Sequence, residues 1–330
     1  MSKNKNHSDS PALALRDRLG YAAAMAGIWF VVGLTTLLGH RGTLALGKAI
    51  GSLLFTFFGR MQAKVLHNLG FAFGDALPER ERPELARRII QNFCQTWAEL
   101  FFVAGPKKRP VRTTVTIEGR EHLDRALAHG RGVIAVSAHM GNYPMIGIKL
   151  TEEGYHFVMV VRDLQTRAGS AAYSECRRMI DMPSLATQPE REFFKGALKT
   201  LRRGGILCLI ADENKRHGGI FVDFFGQQAS TAPGPAALAQ RTGAAIVPMF
   251  MVRESDGSQR LIIEEEIIWE RSGDTAADMQ TLTALFTATI EARIRRDPDQ
   301  WIWTNWRWRT QEWGKDASAK LRKKKKKRKT

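Results

Sequence analysis

The feature that most limits what this chain can fold into is a change of rhythm at Val111. Beyond it, short apolar runs alternate with longer segments of helical period. Strands are expected over 111–118, 132–137, 157–161, 206–211, 221–224, 245–252 and 261–268, and helices over 144–153, 170–180, 190–203, 234–242 and 276–296. Strands alternating with helices of this length predict an α/β fold, a mixed central sheet flanked by helices. No internal repeat interrupts the pattern.

The chain has 330 residues, 44% of them hydrophobic and 25% charged, ample for a sizeable core. Cys94, Cys176 and Cys208 are scattered, which argues against a disulfide framework or a zinc site and suits a reducing compartment. No GxGxxG follows a strand, and no GxxxxGK[ST], HExxH or GxSxG occurs. Dinucleotide enzymes, P-loop NTPases, zinc proteases and elbow-serine hydrolases lose their motifs accordingly. The net charge of +17 is uneven, because nine basic residues between Lys320 and Lys329 supply over half of it. Such a run is expected to be solvated and disordered, and suited to anionic lipid or nucleic acid.

Upstream of Val111 the chain reads as helical. Residues 1–18 are expected to be a disordered start. Between Arg18 and Arg41 no Asp, Glu, Lys or Arg occurs, a span long enough for a bilayer core, though Thr35, Thr36 and several glycines temper it. It reads as a membrane anchor, with the alternative of a buried helix, and basic residues on both flanks give no orientation. Leu46, Ile50, Leu53, Leu54, Phe57 and Phe58 then form one apolar stripe that could face lipid or protein. The expected division is anchor and amphipathic helices over 19–60, a main domain over 61–315, and the basic tail over 316–330.

Within the alternating region, one stretch carries the chemistry. The buried strand 132–137 delivers His139 to a polar turn, Gly141-Asn142, after which Pro144 opens a helix. An imidazole just before a helix N-terminus suits chemistry in which negative charge develops, such as acyl or phosphoryl transfer. An ordinary histidine in a strand-to-helix loop is the competing reading from spacing alone.

Four ordered blocks sharpen this. Ser137-Ala-His139-Met-Gly141-Asn142-Tyr143 resembles the SxHxGNW signature of the bacterial lipid A late acyltransferase family, within the wider class of glycerolipid and glycolipid O-acyltransferases. Ala211-Asp212-Glu213-Asn214 with the Gly219–Gly226 run is similar to that family's ADQN…GxFVxFFG. Thr231-x-x-Gly234 through Pro248 resembles its TxxGxxxLAxxTGAxVVP, and Gln300-Trp301 through Arg309 its closing PEQWxWxxRRW. The likeness spans roughly residues 63–310.

The resemblance implies a glycerolipid-acyltransferase-like fold and a membrane-associated O-acyltransferase. By that resemblance His139 is expected to be the general base on a lipid A precursor hydroxyl, with a thioester, acyl carrier protein or acyl-CoA, as the expected acyl donor. Amides near Gly141 and Asn142 are the implied oxyanion site, Arg162 a phosphate or pantetheine contact, and Asp223, Thr231 and Gly234 further substrate-binding candidates. No metal or bound cofactor is implied, no specific nucleic acid partner is expected, and the anionic cytoplasmic face of a bacterial inner membrane is the expected location. One position departs: the family's acid five residues after the histidine is Pro144 here. Asp212 or Glu213 is the expected substitute, with Glu99 as third choice. A histidine acting alone, or an inactive membrane-binding relative, are the alternatives, as is an acceptor that is another glycolipid or an aminolipid. The tryptophans from Trp301 to Trp313 read as core or membrane-interface residues.

Overall fold

The computed structural model describes residues 15–106, 114–162, 164 and 166–310. The polar start, the basic tail and the first part of the expected strand 111–118 lie outside the described residues. The strands are β1 (Val115–Glu118), β2 (Val133–Ser137), β3 (Phe157–Val161), β4 (Ser184–Ala186), β5 (Ile206–Ile210), β6 (Ile220–Phe224), β7 (Gln227–Thr231), β8 (Ala245–Arg253) and β9 (Gln259–Ile263). The helices are α1 (Leu15–Phe57), α2 (Gly59–Phe73), α3 (Arg82–Ala104), α4 (Arg120–Ala128), α5 (Pro144–Glu152), α6 (Arg167–Met179), α7 (Glu190–Arg202), α8 (Gly234–Thr242) and α9 (Thr275–Arg296).

Seven strands form one sheet in the order β1-β9-β8-β2-β5-β3-β4. Every pairing in it is parallel except β8 with β9. β2 lies in the middle and is buried throughout. Its side chains alternate between two cores, as the two-residue period of a strand requires. Ile134 and Val136 pack with Leu201 of α7, Leu238 of α8 and Phe286 of α9, whereas Val133 and Ala135 pack with Leu123 of α4 and Ile146 of α5. The result is a three-layer α/β sandwich, as the alternating pattern predicts.

Two expectations change in detail. The run 221–224 does not join the main sheet; it becomes β6, half of a separate antiparallel hairpin with β7. The run 261–268 is strand only to Ile263, since Pro248 in β8 ends regular pairing there. That proline's carbonyl instead accepts from the Glu264 N–H at 2.9 Å.

The anchor and the amphipathic stretch are one 43-residue helix, α1, kinked at Gly39, where φ is 70° and ψ 176°. Only glycine adopts that conformation cheaply. The Thr43 hydroxyl donates across the kink to the Thr35 carbonyl at 3.1 Å. Before the kink, α1 exposes Trp29, Phe30 and Leu37, and it is long and apolar enough to cross a membrane. After the kink, α1 packs on α3 through its small residues. A Cβ on Gly47 would stand 2.7 Å from the Gln95 Cα, and one on Gly51 2.5 Å from the Gln91 Cα. Because that face is in contact with α3, the stripe of Ile50, Leu53, Phe57 and Phe58 points outward.

Candidate active site

Register decides the site. Ser137 at the end of β2 is directly opposite Ile210 at the end of β5, and the Ala211 N–H donates to the Ser137 carbonyl at 2.9 Å. Two residues beyond each strand end stand His139 and Asp212, side by side at the carboxyl edge of parallel strands, where α/β active sites gather. The Asp212 carboxylate accepts the His139 main-chain N–H at 2.9 Å through Oδ2 and approaches His139 Nδ1 at 2.8 Å through Oδ1. Trp301 adds its indole N–H to Oδ2 at 2.6 Å.

An ionised carboxylate only accepts, so Nδ1 carries the hydrogen and Nε2 presents the lone pair. Burial pushes the His139 imidazole down, but the charge and hydrogen bond of Asp212 outweigh it, and the net shift is upward. For Asp212, burial acts to raise the carboxyl, yet His139 and the Trp301 N–H hold it below the ordinary aspartate value. The carboxylate is nearly inaccessible, while the His139 side chain keeps 21% exposure, enough to meet a substrate. Tyr143 stacks edge-on against it with ring centroids 5.0 Å apart.

The turn that carries His139 is held from two sides. Its carbonyl accepts from the Ile302 N–H at 3.0 Å, and the Gly141 N–H donates to the Gln300 carbonyl at 2.9 Å. Gly141 has φ +51°, and a Cβ there would stand 2.2 Å from the Met251 carbonyl oxygen, so glycine is required. The Gly141 amide is therefore committed within the fold. Asn142 is fully buried and donates its side-chain amide to Glu99 Oε2 at 2.6 Å.

The other candidates disperse. Glu213 is 41% exposed and accepts from the Asn305 side chain at 3.1 Å, with Arg162 at 3.9 Å at the rim. Asp223 accepts the Gly226 N–H at 3.0 Å and closes the β6–β7 turn. Thr231 is buried, its hydroxyl bonded to the Arg307 guanidinium, which also donates to the Ser230 carbonyl at 2.8 Å. Burial lowers the Arg307 pKa to about 10. Gly234 opens α8, where an added Cβ would meet only Leu209 at 3.6 Å.

Glu99 is not a partner of His139; it sits inside, bonded to Asn142, His40, Arg253 and Gln259. Burial acts to raise its carboxyl, but the Arg253 charge and the hydrogen bonds bring it down to about 2. The tryptophans divide as core residues, with Trp301, Trp303 and Trp308 buried, whereas Trp306 is part-exposed beside His67 and Trp313 lies outside the described residues. The indole N–H of Trp301 at Asp212 is a site contact that sequence reasoning did not anticipate. In the sequence, Trp301 reads only as a core or membrane-interface aromatic within a matching block.

Behind Tyr143, between α1, α3, α5 and α6, lies an apolar cavity of about 80 Å³, whose lining includes Ile28, Trp97, Leu100, Tyr143, Tyr173 and Met182. A His–Asp pair at the edge of the sheet, an apolar cavity one ring away and a helix of membrane-spanning length are features that an acyltransferase working at a membrane would need.

The chain belongs to the bacterial lipid A biosynthesis acyltransferase family, whose profile matches residues 14–310. Among its relatives, the phosphatidylinositol mannoside acyltransferase of Mycolicibacterium smegmatis is 29% identical over 63% of this chain and 68% of its own length. The lipid A biosynthesis lauroyltransferase of Escherichia coli is 26% identical over 87% of this chain and 90% of its own, and the palmitoleoyltransferase of that organism 26% over 88% and 93%.

Proposed function

We propose that this chain moves a fatty acyl group from a thioester, acyl carrier protein or acyl-CoA, to a hydroxyl of a lipid A precursor at the cytoplasmic face of the bacterial inner membrane. The observation that carries the reading is the His139 Nδ1–Asp212 contact at 2.8 Å. It leaves Nε2 to take the proton from the acceptor hydroxyl. The hydroxyl oxygen then attacks the thioester carbonyl carbon. Collapse of the tetrahedral intermediate breaks the C–S bond, and the departing sulfur regains the proton from Nε2. Asp212 stabilises the imidazolium between these steps and replaces the family acid that Pro144 displaces. With the Gly141 amide committed to Gln300, the Asn142 main-chain N–H is the turn's candidate donor to the oxyanion. Arg162, 79% exposed at the rim, is placed to meet phosphate on the acceptor or the donor's pantetheine arm.

The lipid A reading is favoured because the likeness to the E. coli enzymes extends over 87–88% of the chain. A second reading, a mannosylated phosphoinositide acceptor, is supported by the higher identity to the mycobacterial enzymes, over a shorter span. The test offers the purified full chain in phospholipid vesicles acyl-CoA or acyl carrier protein thioester, with either acceptor, and follows products by mass spectrometry. The proposal expects one added acyl group on the lipid A precursor, abolished by His139→Ala. Acylation of the phosphoinositide alone would select the second reading, and transfer that survives His139→Ala would overturn both.

A further inference from the structure

The buried carboxylate of Glu99 joins two parts of the molecule that the chemistry itself does not connect. Its Oε2 accepts from the Asn142 side chain at 2.6 Å, from Arg253 at 2.8 Å and from Gln259 at 2.8 Å, while Oε1 faces His40 Nε2 at 2.7 Å. Asn142 belongs to the turn that presents His139. His40 belongs to α1, one residue past the Gly39 kink and directly after the lipid-length segment that exposes Trp29, Phe30 and Leu37.

Arg253 already supplies a full positive charge to this carboxylate, with only 7% of its side chain exposed. His40 is therefore not needed for charge balance. An ionised Glu99 only accepts, so Nε2 of His40 must be the donor. What the contact adds is position. The ring stands 5.7 Å from Phe102 and presents its N–H inward at the point where α1 kinks. His40 directly follows the kink, so a rotation or shift of the segment before Gly39 acts on that donor through a single residue. It would also move Ile28, which lines the cavity behind Tyr143. Oε2, by contrast, is held entirely by the domain core and the catalytic turn.

We propose that Glu99 and His40 are positioning residues through which the seating of α1 in the bilayer sets the geometry of the Gly141-Asn142 turn, and thereby of His139. The effect runs through a hydrogen-bonded chain, His40–Glu99–Asn142, with no contact between His40 or Glu99 and substrate. It rests on the reading of His139 as the catalytic base, but its structural half can be measured without any substrate.

The experiment uses the full chain in phosphatidylethanolamine–phosphatidylglycerol vesicles, as native protein and as His40→Leu, His40→Gln and Glu99→Gln. Two readouts are taken: hydrogen–deuterium exchange of residues 138–146, and kcat and KM for acyl-CoA with the lipid A precursor. His40→Leu is expected to raise exchange over 138–146 with β2 still protected, and to lower kcat by about tenfold with KM for the donor within about twofold. His40→Gln, which keeps a donor, is expected to restore both, and Glu99→Gln to behave like His40→Leu. Native exchange and native kcat in His40→Leu would overturn the proposal.

Should the variants lose protection in β2, the native chain decides. Its kcat is expected to differ by at least about twofold between thin dimyristoleoyl and thick dierucoyl phosphatidylcholine bilayers, which tilt α1 differently. Equal kcat in the two, with equal exchange at 138–146, would refute the coupling. Native chain without transfer activity but with the predicted exchange response would count against the functional reading alone.

Discussion

Asp212 holds His139 at two points, its Oδ2 on the main-chain N–H at 2.9 Å and its Oδ1 at ring Nδ1 at 2.8 Å. One carboxylate thus fixes both where the residue sits and which way its ring is turned. A carboxylate that only needed to neutralise charge could sit anywhere nearby; this geometry also selects the tautomer. Asp212→Asn keeps the shape but can impose the wrong tautomer, so kcat is expected to fall by about 10²–10⁴-fold. Steady-state kinetics in vesicles check this, and a loss below about threefold would assign the orienting role elsewhere.

Trp301 supplies the third hydrogen bond to that carboxylate, at 2.6 Å, while its ring packs 4.6 Å from that of Trp303. Trp301→Phe keeps most of the packing and deletes the N–H. We expect a several-fold drop in kcat and a loss of stability of about 1–3 kcal/mol, the usual cost of a buried hydrogen bond to a charged group. A variant with native kcat would reduce Trp301 to a packing residue.

Thr231 and Arg307 form a separate buried pair inside the hairpin side of the domain. Among the described residues, the guanidinium hydrogen-bonds two neutral oxygens, the Ser230 carbonyl and the Thr231 hydroxyl. Thr231→Val should therefore destabilise the fold by about 1–3 kcal/mol through the unsatisfied donor. Activity per folded molecule should be unchanged. Melting curves alongside kinetics separate the two; a raised KM with native stability would return Thr231 to substrate binding.

The α1–α3 contact depends on a missing side chain. A Cβ on Gly51 would stand 2.5 Å from the backbone Cα of Gln91, which cannot swing away, whereas a Cβ on Gly59 would meet nothing within 4 Å. Gly51→Ala is expected to cost about 1–3 kcal/mol by overpacking. Gly59→Ala should change stability by no more than about 0.5 kcal/mol. Thermal melts of the full chain in detergent check the contrast.

How much of this was legible beforehand differs from residue to residue. His139 was readable because its strand, turn and helix lie in one continuous stretch. Its partner was narrowed only to Asp212, Glu213 or Glu99. The choice depends on β2 and β5 being neighbours in register although β3 and β4 intervene in sequence, which no local pattern encodes. Asp212 and Glu213 are adjacent, yet only Asp212 turns to the histidine, while Glu213 turns to Asn305. Glu99 reads in the sequence as a candidate acid for the reaction, but its partners come from four different elements and mark it as a buried tie. The apolar stripe from Leu46 to Phe58 was visible, but not its direction. That is decided by Gly47 and Gly51, residues whose role is to be small.

The pH dependence of kcat/KM tests most directly whether His139 acts as a base held by Asp212. The base must be neutral to work, and Asp212 moves its pKa above the ordinary 6.5. Activity should therefore rise with pH through a limb above 6.5, and replacing Asp212 with Asn should move that limb to lower pH while lowering the plateau. The same pair contributes stability with the opposite sense: the His139 part is complete below 6.5 and is lost as pH rises through its raised pKa, and the Asp212 part is lost as pH falls through its depressed one. An acidic limb that stays in place in Asp212→Asn would contradict the account.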